Sequence, residues 1–74
     1  MMHLDRISAN PLQCGGRPFV RGSRVRVADV IALYADGLDS EAILARIPEL
    51  EREDLRACLD YAVRRVSHPV AVAA

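Results

Sequence analysis

Residues 14–27 read Cys14-Gly15-Gly16-Arg17-Pro18-Phe19-Val20-Arg21-Gly22-Ser23-Arg24-Val25-Arg26-Val27. Three glycines, one proline and four arginines stand in front of an ordinary helical sequence. Phe19-Val20-Arg21 and Arg24-Val25-Arg26 are short β-prone runs separated by Gly22-Ser23. Glycine at the first central position of a two-residue loop suits a type II′ hairpin turn. That register sets Arg21 opposite Arg24, Val20 opposite Val25 and Phe19 opposite Arg26. Side chains alternate between faces, so Phe19, Arg21, Arg24 and Arg26 share one face and Val20 and Val25 the other. Like charges directly opposite each other destabilise a sheet. The pattern therefore calls for an anion or a carboxylate near the arginines. Upstream, Leu4–Ser8 reads as a further short strand that Asn10-Pro11 ends.

Downstream the period changes. Val30, Ile31, Leu33 and Tyr34 form an apolar stripe, and Gly37 follows as a C′ glycine. Asp39 is the expected N-cap of a second helix whose buried side is Ile43, Leu44 and Ile47 and which Pro48 ends. A third helix starts near Glu51–Arg52. Its apolar positions Leu55, Leu59, Ala62, Val63 and Val66 recur with helical spacing, and His68-Pro69 stops it. The expected fold is mainly α: a three-helix, helix-turn-helix-like (homeodomain- or winged-helix-like) bundle with a short N-terminal β arm and hairpin. It is one domain over 1–74, with the arm in 1–26, the bundle in 27–67 and a short apolar tail in 68–74.

A chain of 74 residues buries a thin core, which rarely supplies more than about 3–5 kcal/mol. The two cysteines, Cys14 and Cys58, make no metal-ligand spacing and read as reduced thiols. That leaves oligomerisation as the stabiliser, and a homodimer is expected. Phe19, Val20, Val25 and Val27 are its candidate interface. No run reaches the ~18–20 apolar residues of a membrane helix, and the N-terminus has no apolar leader. The expected location is the cytoplasm, with no membrane partner.

Formal net charge is zero, but the charges are divided. Residues 1–26 carry five arginines against Asp5 alone, while 27–74 carry five arginines against nine carboxylates. A basic arm on an acidic body follows. Arg17, Arg21, Arg24 and Arg26 are candidates for DNA phosphates or a minor groove, and equally for pairing with the acidic body, within the chain or across a dimer. Arg52 and Arg56 on the third helix are further nucleic-acid candidates. Glu51, Glu53 and Asp54 in that helix's first turn repel phosphates, and they suit the helix dipole.

Chemistry of other kinds finds little support. The glycines lack the Gly-Lys-Ser/Thr of a nucleotide loop and read as turn formers. Cys14 has no placed base, Cys58 reads as a small core residue, and His3 and His68 stand apart at the two ends. No pair of titratable groups is spaced as acid and base. The expectation is a protein that is not an enzyme, with no catalytic residue, metal, cofactor or small-molecule substrate.

The block from Gly15 to Val27 resembles the signature of the domain-of-unknown-function 433 family. So do Gly37-Leu38-Asp39-Ser40-Glu41-Ala42-Ile43-Leu44, the run from Ile47 to Leu55, Ala57 and Tyr61-Ala62. The resemblance implies a helix-turn-helix-like domain of the VapB-like antitoxin type. Such a protein dimerises, binds and neutralises a PIN-like ribonuclease toxin, and has operator DNA as a further expected partner. Glu51 departs from the Ser or Thr that the family often has at the start of the third helix. The alternatives are a stand-alone helix-turn-helix DNA-binding regulator and an oligomerisation module that binds no DNA.

Overall fold

The computed structural model describes residues 4–8 and 17–66. The fold is mainly helical. A single 3₁₀ turn, Leu4–Arg6, leads into strand β1, Ile7–Ser8. Strand β2 is Phe19–Val20, and three helices follow: α1 (Val27–Ala35), α2 (Ser40–Arg46) and α3 (Arg52–Val66). Each helix packs on the other two. The order and lengths are compatible with a helix-turn-helix arrangement.

The β arm differs from the sequence expectation in three ways. The expected strand Leu4–Ser8 is a 3₁₀ turn for its first three residues. The partner of β2 is β1, antiparallel, with Ile7 opposite Val20 and Ser8 opposite Phe19. Arg24–Arg26 is not a strand. It keeps the expected register only through the Phe19–Arg26 bridge and the Val20 N–H donating to Val25 C=O at 2.8 Å.

The turn has moved by one residue for a local reason. Ser23 N–H donates to Val20 C=O at 3.0 Å, which makes Arg21-Gly22 the central pair. Gly22 has φ +83°, the left-handed value a type II turn needs at its third position. The Ser23 hydroxyl donates to Val20 C=O and accepts from Val25 N–H. Arg21 N–H is taken by Arg6 C=O at 2.7 Å, so the backbone of Arg21 continues the β1 pairing. The Arg21–Arg24 cross-strand pair therefore does not form. Phe19 is buried rather than aligned with an exposed arginine face.

The helix ends follow their sequence signals. Asp39 Oδ1 accepts the Ala42 N–H at 2.9 Å and caps α2. At the end of α1, Gly37 N–H donates to Tyr34 C=O and Leu38 N–H to Leu33 C=O, with Gly37 at φ +97°. This pair of bonds is a Schellman closure. It turns the chain at Gly37 and lets Leu38 follow Leu33 into the core cluster.

The core is a single cluster of Val20, Val27, Val30, Ile43, Leu50, Leu55 and Cys58. Every helix and β2 contribute to it or feed it directly. Phe19, Val20 and Val27, candidates for a dimer interface, are buried within the single chain, and Val25 is half-buried. Cys14, Gly15, Gly16, His3, His68 and the tail 68–74 lie outside the described residues.

Candidate functional site

The α3 helix starts from an acidic cluster that its sequence explains. Glu51 stands just before Arg52, where Ser, Thr, Asp or Asn would cap best. Asp54, three residues on, compensates: its Oδ2 accepts the Glu51 backbone N–H at 2.8 Å, the returning half of a capping box. The other carboxylate oxygen accepts from Arg6 Nη1 at 2.9 Å, and the same nitrogen donates to Glu51 Oε1 at 3.0 Å. Asp54 is 7% exposed, so this carboxylate is buried with its partners in place. Hydrogen bonds to Asp54 first, and to Glu51 second, raise the Arg6 guanidinium above its already high value. The basic arm thus meets the acidic body inside one chain, through Arg6.

The six arginines nominated from the sequence are spread over several elements. Arg26, half-buried, is held by Asp29 through Nε and Nη2 at 3.1 and 3.3 Å at the start of α1. Arg21 and Arg24 are exposed in the turn around Gly22. Arg17 is exposed and lines a groove described below. Arg52 and Arg56 come together on α3, where they line a shallow hollow with Tyr34, Ser40, Leu55 and Leu59. Tyr34 and Ser40 hydroxyls share a hydrogen bond of 2.8 Å there, and Arg52 pairs with Glu41.

A larger concavity lies between α1 and α3. It is an open groove of about 700 Å³. Ile31, Ala32 and Ala35 of α1 form one wall, and Tyr61, Ala62 and Val66 of α3 the other. Arg17 and Arg65 are the only charges among its described lining residues. An apolar cleft with two cations suits an apolar segment that carries a carboxylate.

Beside the groove α3 presents a second apolar feature. Leu59, Val63 and Val66 are 36, 60 and 68% exposed. At i, i+4 and i+7 they share one helix face. The buried residues of α3 are Asp54, Leu55, Ala57 and Cys58, all in its N-terminal half, and beyond them Tyr61 is half-buried against the core. The physical reason is length. A 15-residue helix runs about 22 Å and the nine residues of α1 about 13 Å, so α3 outruns its partners. The apolar spacing continues past the point where the described residues can cover it.

Cys58 is fully buried. Burial first, and the Asp54 charge second, push its thiol up to about 12, so it is a protonated core residue without nucleophilic character. Among the described residues no three His, Cys, Asp or Glu side chains group to hold a metal ion. No described helix is long and apolar enough to cross a membrane.

Sequence reasoning missed the Arg6–Asp54–Glu51 cluster, the groove and the exposed stripe. Glu51-x-x-Asp54 is a readable signal for the first, since it places an acid at the capping-box return position. The groove has no such signal, because it depends on how α1 and α3 are placed against each other.

Comparison with known proteins adds family and relatives. A family model described as protein of unknown function, DUF433, matches residues 7–62. The uncharacterised protein y4eO of Sinorhizobium fredii (strain NBRC 101917 / NGR234) is 41% identical over 56 residues, which are 76% of this chain and 25% of that protein. The chain therefore matches about a quarter of the length of that relative. No solved structure matches.

Proposed function

We propose, from the premise that this chain belongs to the DUF433 family, that it is a cytoplasmic protein-binding module of antitoxin type. In this reading it is not an enzyme. It dimerises and neutralises a PIN-like ribonuclease toxin by binding it. The observation that carries the reading is the open groove between α1 and α3. An apolar cleft of that size, open among the described residues, is a place for another protein's side chains. Arg17 and Arg65 favour a partner segment with carboxylates beside its apolar anchors. Tyr61 in the wall supplies the aromatic surface that interfaces favour.

The test is co-expression with the product of the neighbouring reading frame. The expected result is a stable complex in which the partner's ribonuclease activity is suppressed. Ala32→Arg fills the groove from an exposed position of α1 and should weaken the complex by about tenfold or more. If the two proteins never associate, or the neighbour is harmless when expressed alone, the antitoxin reading fails.

A second reading is a DNA-binding regulator. The exposed arginines Arg21 and Arg24 around the Gly22 turn favour it, because a projecting basic turn can reach phosphates. Arg52 and Arg56 on α3 would be its second contact. A mobility shift with the chain's own upstream DNA, repeated at two salt concentrations, decides it. No shift at low salt ends this reading.

A further inference from the structure

We propose that the hollow between α3 and the α1–α2 corner is a binding site for a single phosphate group. Arg52, Leu55, Arg56 and Leu59 line it from α3, and Tyr34 and Ser40 line it from the corner. The α3 residues stand at i, i+3, i+4 and i+7, which is one helix face. Tyr34 lies in the last turn of α1, and Ser40 is the first residue of α2. The Schellman closure at Gly37 and the Asp39 cap fix the chain between them. The hollow shares no lining residue with the groove between α1 and α3, so the two surfaces are separate.

The donors choose the ligand. Arg52 and Arg56 set two guanidinium groups four residues apart on one helix, a pair that repels itself until an anion joins it. Arg56 makes no ion pair among the described residues. Arg52 makes one, with Glu41, so the rim of the hollow already draws an oxygen anion from the chain itself. The Tyr34 and Ser40 hydroxyls share one hydrogen bond of 2.8 Å. Whichever of them donates it, the other keeps a proton to give away. The hollow therefore offers two guanidinium forks and one hydroxyl. A carboxylate has two oxygens for these three groups, whereas a phosphate has enough, and guanidinium forks match its oxygens bidentately. Size agrees. The hollow holds about 180 Å³, below the about 300–1,000 Å³ of sites for drug-sized ligands, so it takes the charged group and leaves whatever carries it outside. Glu41 is the competitor to be displaced. It and Arg52 are both more than half exposed, and exposed pairs hold weakly.

The experiment adds inorganic phosphate to the full chain at constant ionic strength and follows the amide resonances by NMR. Saturable shifts are expected at Ser40, Arg52 and Arg56, larger than those at Arg21 and Arg65, which are exposed arginines outside the hollow. Arg56→Ala, at an exposed position, should raise the phosphate dissociation constant by about tenfold. Glu41→Gln releases Arg52 and should lower the constant, by up to about fivefold. That gain is a result that loss of folding does not imitate. A short DNA duplex in place of phosphate identifies the source. If Arg56→Ala weakens duplex binding and reduces its salt slope by about 1, the group is a backbone phosphate. Otherwise the site takes free phosphate or a phosphate monoester, and it stands in both cases. Shifts spread equally over all the exposed arginines overturn it, as does an Arg56→Ala variant that binds phosphate as tightly as wild type. Either of those results leaves the groove and the antitoxin reading untouched.

Discussion

Arg6 Nη1 donates to Asp54 Oδ1 across 2.9 Å while Asp54 Oδ2 holds the Glu51 backbone N–H at 2.8 Å. One carboxylate thus closes the start of α3 and ties the N-terminal 3₁₀ turn to it. Asp54→Ala should lose about 1 kcal/mol from the missing capping bond, and little more from Arg6, which is part exposed and keeps Glu51. Asp54→Asn keeps an oxygen for Glu51 N–H and should fall between the two. Urea unfolding with an unchanged slope measures both. A neutral Asp54→Ala would show that the cluster stabilises nothing.

Cys58 gives the protein an alkaline limit. Below the ordinary thiol range, about 8.5, folded and unfolded chains both keep the proton and full stability is present. Above it the unfolded chain ionises while the folded thiol, pushed up to about 12, does not. Stability should therefore fall with rising pH between these values, by about 1.4 kcal/mol per pH unit from this group. In a Cys14→Ser background, Cys58→Ala should remove that slope, whatever its cost at neutral pH. Alkylation of Cys58 should proceed only as fast as the chain opens.

Gly22 and Gly37 are glycines for backbone reasons alone. A Cβ at either position would meet nothing within 4 Å, yet their φ values are +83° and +97°. Alanine at each should cost about 1–2 kcal/mol, with asparagine milder. Thermal unfolding of the four single variants checks the order. If Gly37→Ala is as stable as wild type, the Schellman closure of α1 contributes less than its two bonds imply.

On the DNA-binding reading, the salt dependence counts phosphate contacts. Each contact contributes about 0.9 to the slope of log affinity against log salt. Arg21→Ala with Arg24→Ala should lower the slope by about 2 and leave the groove untouched. An unchanged slope removes the turn from any DNA interface.

The helices were legible because their signals are local. Asp39 caps α2 through its own side chain, Gly37 closes α1 through its own φ, and Pro48 stands where α2 must stop. The β arm was less legible because its pairing is not local. The Phe19–Arg26 register was readable from Gly22, but nothing near Phe19 says that Ile7–Ser8 is the strand it joins. The turn type was misplaced because Gly22-Ser23 serves two registers equally on paper. The Ser23 hydroxyl and the Arg6 carbonyl choose between them. Arg6 itself gave no sequence sign of its partner 48 residues away. On α3 the apolar spacing was readable to Val66, but spacing alone carries no information on where the covering helix ends.

The uneven cover of α3 also divides the helix in time. Its first half is anchored by Asp54, Leu55, Ala57 and Cys58, and its amides there should exchange with solvent only when the whole chain opens. The second half, past Leu59, has far less of the described residues packed against it, and its amides should exchange through local fraying. One continuous helix thus holds two clocks. Any partner that settles on Val63 and Val66 should slow the faster one and leave the other unchanged, so hydrogen exchange along α3 reports binding at its far end residue by residue.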